Sequence, residues 1–335
     1  MFLNSWSLAL SLGSILVLFL GVAAARTAVR VLRHWNPASD DNHQIRLENE
    51  IWLASTLVKY TLGFQILSLI LFVLAADQFC QVIVGAMCAT GALLANGFGM
   101  PALGVKLAGV FFYGFWIVLH QLDISAETYP LVRAKYIYLL ILLPLLVADL
   151  ALQTFYIDGL KPDIITSCCA VVFGETKATG QNLISGISKG PLLLLYYGTI
   201  TLLLAAGITL NRHWRRAAAY VNAGLWLFFF GLALVVITTV LSSYIYAMPF
   251  HRCPFCILKP EYHAIGFAIY GTLIAGTFCG IAAAAVEPFR CKPELTVDIA
   301  RFQKLSNRVA LFMLVSFTAL SSYHALRYLI TGGEG

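Results

Sequence analysis

The sequence predicts an all-α fold: a polytopic membrane helix bundle of about eight transmembrane helices, with both termini extracytoplasmic. Three observations predict it. Of 335 residues, 60% are hydrophobic and 11% charged, against about 25% charged in an ordinary soluble domain. The chain contains eight apolar runs, each near the roughly 20 residues that a helix needs to cross about 30 Å of hydrocarbon. Its basic residues then alternate loop by loop between the two sides. This composition excludes a soluble enzyme, a disordered chain and a nucleic-acid-binding domain. The net charge of +6 reflects sorting across a membrane and not a nucleic-acid partner.

The runs cover 6–25, 51–76, 101–122, 136–157, 191–210, 217–247, 263–286 and 308–326. The first ends in Ala-Ala-Ala like a signal peptide, but it lacks a positive leading region and is followed by Arg26, Arg30 and Arg33, so an uncleaved anchor is expected. In the second and third, Lys59 and Lys106 stand near the span ends, where long side chains snorkel toward headgroups. The fourth carries Asp149, the one carboxylate well inside a span, and Pro144, which should kink it. The sixth is uncharged over its whole length and must tilt, kink or project. Fourteen Lys and Arg fall in or beside the loops after spans one, three, five and seven, and six on the other side. By the positive-inside rule the fourteen face the cytoplasm. The chain reads as a single membrane domain, 1–335, in the surrounding lipid. Helical-hairpin repeats over 51–122, 136–210 and 217–286 would each carry cysteines at the tip. The expected location is a multi-pass cell membrane, of the bacterial inner-membrane kind.

That topology places six of the eight cysteines outside, as three close pairs: Cys80 and Cys88, Cys168 and Cys169, and Cys253 and Cys256. Thiols oxidise outside the cytoplasm. Structural disulfides would suit Cys80 and Cys88. A Cys-x-x-Cys loop gains little from closure and tends to be redox-active. A bond between the neighbours Cys168 and Cys169 is strained, so they are expected to bond elsewhere or exchange partners. His251, Arg252 and Lys259 flank Cys253-Pro254-Phe255-Cys256, and cations there would stabilise a thiolate.

The layout resembles the membrane thiol oxidoreductases of the vitamin K epoxide reductase and DsbB type. Cys80 and Cys88, with seven residues between them, stand ahead of a glycine-rich stretch and Pro101. Ser167-Cys168-Cys169-Ala170-Val171-Val172-Phe173 follows in the second loop, and Cys253-x-x-Cys256 comes last. The family core has four spans, where eight are counted here. The resemblance implies that outer cysteines pass electrons to the CxxC beside a membrane quinone, with an extracytoplasmic thiol protein as partner. Under it Cys253, Cys256, Cys80, Cys88, Cys168 and Cys169 are the catalytic candidates. Asp149 joins them as a proton relay for the quinone; an ion pair with Lys106, at similar depth, is the plainer role.

Two other readings stay open. Soft thiolates select Cu(I) or zinc, and Met248 and His251 near Cys253 and Cys256 would add ligands to a metal-handling protein. The chain would otherwise be a structural subunit of a membrane complex, its loops stapled by disulfides. Haem is not expected, because no two of the seven histidines stand at matching depth on two spans. No phosphate-binding glycine loop or hydrolase motif occurs.

Overall fold

The computed structural model describes residues 4–35, 42–161, 188–248 and 251–331, with the His43 side chain excepted. The described residues form an all-helical protein: α1 (Ser5–His34), α2 (Asn42–Phe79), α3 (Ala89–Leu93), α4 (Gly99–Asp123), α5 (Val132–Asp158), α6 (Lys189–Arg212), α7 (Arg216–Val236), α8 (Ile265–Ala285) and α9 (Thr296–Thr331). All but α3 belong to the eight helical stretches long and apolar enough to cross a membrane. The protein is therefore a multi-pass membrane protein in contact with lipid.

The helices outrun their apolar cores. α2 begins at Asn42, nine residues before its apolar run, because Gln44, Arg46, Leu47 and Glu48 are good helix formers. α1 starts where the side chain of Asn4 accepts the amide of Trp6 at 3.1 Å, and ends with Arg33 and His34 against the negative end of its dipole. α5 runs unbroken through Pro144. The long sixth span contains a π turn, Ile237–Leu241, which adds one residue to the helix before Ser242–Ile245 resumes it.

The chain forms two compact units. The first takes residues 1–84, 92–166 and 291–298. In it α1, α2, α4 and α5 pack in a ring, each against two neighbours. Ala24, Ala28 and Val31 of α1 face Trp116, Tyr136, Leu139 and Leu142, while Leu12, Leu16 and Phe19 point outward to lipid. Gly21 lets α1 close on α5, since a Cβ there would lie 3.2 Å from Leu146.

The second unit takes residues 85–91, 167–290 and 299–335. α7 packs against both α6 and α8. Aromatic rings fill its centre. Phe229 stacks on Tyr196 at 5.8 Å and meets Phe317 of α9 edge-on, also at 5.8 Å. α9 closes on α6 through Gly207, whose carbonyl accepts Asn307 Nδ2 at 2.8 Å. The expected 136–210 hairpin is thus shared, with α5 in the first unit and α6 in the second.

Candidate functional site

The Cys253–Cys256 segment joins α7 to α8 by a sequence of tight turns. Cys256–Leu258 is a 3-10 turn, and Pro260 opens a second, Pro260–Tyr262. His263 and Ala264 then take left-handed φ values of 54° and 51°, swinging the chain into α8. Such values cost a residue with a Cβ about 1 kcal/mol or more each, so packing must impose them. The packing is visible at Gly266, where a Cβ would sit 2.9 Å from the backbone of Ile257. Only glycine lets the start of α8 press this closely on the turn.

Two tyrosines clamp the turn from the flanking helices. Tyr246, directly after the Ser242–Ile245 segment, donates to the carbonyl of Cys253, and Tyr270 of α8 donates to that of Pro254 at 2.7 Å. His251 meets the Tyr246 ring edge-on at 4.5 Å. Both flanks therefore hold the main chain that carries the sulfurs.

The second unit brings Cys88 to this turn. Its Sγ lies 3.4 Å from Cys253 Sγ, across 165 residues of sequence. The sulfurs of Cys88, Cys253 and Cys256 all lie within 4.8 Å of one another, and all three residues are buried. Thr90 Oγ1 stands 3.3 Å from Cys253 Sγ. Lys259 Nζ donates to the carbonyl of Met87 at 3.2 Å, tying the Cys88 strand of chain to the CxxC turn. No disulfide joins the six cysteines among the described residues.

The Cys256 thiol is pushed well above the ordinary thiol range. Hydrogen bonds with Cys253 and Cys88 hold its proton, and burial adds to them. This is opposite to the thiolate stabilisation expected from nearby cations in the sequence. Lys259 is directed to a main-chain carbonyl, and His251 lies against a tyrosine ring. Three buried sulfurs in mutual contact can exchange disulfide partners or ligate a soft ion. Met248, expected as a metal ligand with His251, is half exposed.

Cys80 belongs to the first unit, at the end of α2, where its Sγ approaches the carbonyl of Asp77 at 2.8 Å. Cys168 and Cys169 lie outside the described residues. Asp149 is buried in the first unit, where Lys106 Nζ reaches its Oδ2 at 3.1 Å and Gln65 donates to the same oxygen. Lys106 also donates to Ser68 Oγ at 3.4 Å. A second buried pair, Lys135 and Asp123 at 2.6 Å, ties α5 to the end of α4.

Sequence reasoning missed Thr90, Tyr246 and Tyr270, which carry no signal beyond a hydroxyl near the cysteines or on the next helix. It also passed over Gln65 and Gln153, although a glutamine inside an apolar run is itself a signal. No family model, curated protein or solved structure matches the chain.

Proposed function

We propose that this protein is an integral membrane thiol–disulfide oxidoreductase whose exchange centre is Cys88, Cys253 and Cys256. The observation that carries the reading is the 3.4 Å approach of Cys88 Sγ to Cys253 Sγ. In this reading the Cys253–Cys256 dithiol gives up two electrons and two protons to a membrane quinone, leaving a disulfide and a quinol. The Cys88 thiolate then attacks Cys253 Sγ, forming a Cys88–Cys253 bond and releasing Cys256 as the leaving thiolate. Cys80 and Cys88, with Cys168 and Cys169, pass the oxidation on to an extracytoplasmic thiol protein. The layout is that of the vitamin K epoxide reductase and DsbB type, set in a bacterial inner membrane with the cysteine loops outside.

The test uses the reduced full-length protein in detergent and a soluble benzoquinone. Disulfides are mapped on unreduced peptides while quinol is followed by absorbance. The wild type should form quinol and a disulfide within the Cys88, Cys253 and Cys256 set. The Cys256→Ser variant, which cannot form the first disulfide, should yield neither quinol nor the Cys88–Cys253 bond. Thiols that stay reduced in excess quinone would remove the reading.

A second reading, a soft-metal site, is favoured by the three sulfurs lying within 4.8 Å of one another. Its ligands would be Cys88, Cys253 and Cys256, in place of Met248 and His251. Copper(I) held one to one through purification, lost in Cys253→Ser and shielding the thiols from quinone, would favour it over exchange.

A further inference from the structure

We propose that the first unit contains a hydrated proton-access path, running from the membrane face at which α1 begins to the Lys106–Asp149 pair. The reading is independent of the thiol chemistry, because every residue it uses belongs to the first unit.

Ser7, Ser11 and Ser14 fall at positions i, i+4 and i+7 of α1, on one face of the helix. Successive hydroxyls are therefore about 4.5 to 6 Å apart along the axis at about 1.5 Å per residue, a gap that one water bridges. Ser7 and Ser14 are buried, as is the hydroxyl oxygen of Ser11. Hydroxyls in this chain commonly turn back to the carbonyl four residues earlier, as in Thr154, Thr199, Thr238 and Ser242. The α1 serines depart from that habit. Ser14 reaches across to Gln153 Oε1 at 3.4 Å, and the Ser7 and Ser11 oxygens have no hydrogen-bond partner among the described residues.

The row continues on α5. Gln153 stands one turn from Asp149. Gln153 Nε2 and Asp149 Oδ1 have no partner among the described residues, and the same holds for Gln65 Oε1 from α2 and Tyr113 Oη from α4. Six such atoms thus belong to one helix ring. Each would cost about 1–3 kcal/mol if left dry. They are a mixture of donors and acceptors, as water requires, since a buried water makes about three hydrogen bonds. Lys106 and Gln65 contact Asp149, Tyr113 lies near it, Ser68 holds Lys106, and Gln153, one turn away on its own helix, leads to Ser14. Asp149 is the only carboxylate among them. A hydronium in the hydrated path passes one proton to Asp149 Oδ1, giving the neutral acid beside the Lys106 ammonium, which Ser68 still holds. Release reverses the step, and no electron moves.

The test is carried out on the full chain in proteoliposomes. Ser7→Cys, Ser11→Cys, Leu12→Cys and Leu16→Cys are each treated with aminoethyl methanethiosulfonate, which reacts only with thiolates formed in water. The tryptic peptide 1–26 holds no native cysteine, so its mass reports the introduced one alone. Ser7→Cys and Ser11→Cys should react at least about tenfold faster than the lipid-facing controls. Equal inertness at all four positions overturns the path. A second measurement needs no cysteine. A protonated-carboxyl infrared band, absent from Asp149→Asn, should appear in acid and shift promptly in D2O. A band that resists exchange, or never forms, also overturns it.

Discussion

Lys259 grips the main chain beside Cys88, its ammonium donating to the Met87 carbonyl at 3.2 Å while its own backbone closes the turn begun at Cys256. One side chain thus sets the distance between segments far apart in sequence. Replacing it by methionine keeps the stem and removes the donor. The bond is worth about 0.5–1.5 kcal/mol net, so Lys259→Met should slow quinone-driven formation of the Cys88–Cys253 bond by roughly two- to tenfold. Timed quenching of the otherwise wild-type chain, with disulfides mapped on unreduced peptides, checks it.

The raised Cys256 thiol predicts a pH profile. In the folded protein its alkylation by iodoacetamide should be slow at neutral pH and still climbing where the same thiol in detergent-denatured chain has levelled off. The stability consequence has a definite sign. A thiol whose folded pKa lies above its unfolded value favours the fold while protonated. That contribution is complete below the ordinary thiol pKa of about 8.5 and is lost as pH rises beyond it. Thermal unfolding of wild type against Cys256→Ser between pH 7 and 10 should show the difference narrowing with alkali.

The buried Lys106–Asp149 pair predicts an asymmetry between single and double substitutions. Removing one partner strands the other charge and costs about 3–5 kcal/mol, whereas an apolar pair of similar volume is close to neutral. Asp149→Leu should therefore lower the melting temperature in detergent far more than Asp149→Leu combined with Lys106→Met. A double variant no more stable than the single would show that the pair is not the dominant contact.

Gly280 of α8 receives the indole of Trp226, and a Cβ there would clash with its ring. Gly280→Ala should push α8 off α7 and destabilise the second unit by about 1–3 kcal/mol. Gly271, with nothing within 4 Å, is the control. Comparing the melting temperatures of the two alanine variants checks it.

The eight spans were legible because lipid imposes one rule along the whole chain: about 20 apolar residues and backbone polar groups satisfied within the helix. Helix ends were less legible, since α2 continues through polar residues that favour helix without help from lipid. The Lys106–Asp149 contact could be read from matching depth, as two buried charges of opposite sign have few other solutions. Sulfur partnership could not be read the same way. Cys80 follows α2 in the first unit, while Cys88 groups with the second. Nothing local in the chain announces that Cys88 meets a residue 165 positions later. The cations beside the CxxC misled for a related reason: Lys259 is near Cys256 in sequence, yet its charge is spent on a carbonyl.

The sulfur cluster has an odd membership. A disulfide consumes two of Cys88, Cys253 and Cys256 and always leaves the third in reduced form alongside. Whichever bond closes, the nucleophile able to reopen it is already in place. The cluster thus has no terminal oxidised state of its own making; what sets its resting arrangement is the supply and withdrawal of electrons from outside.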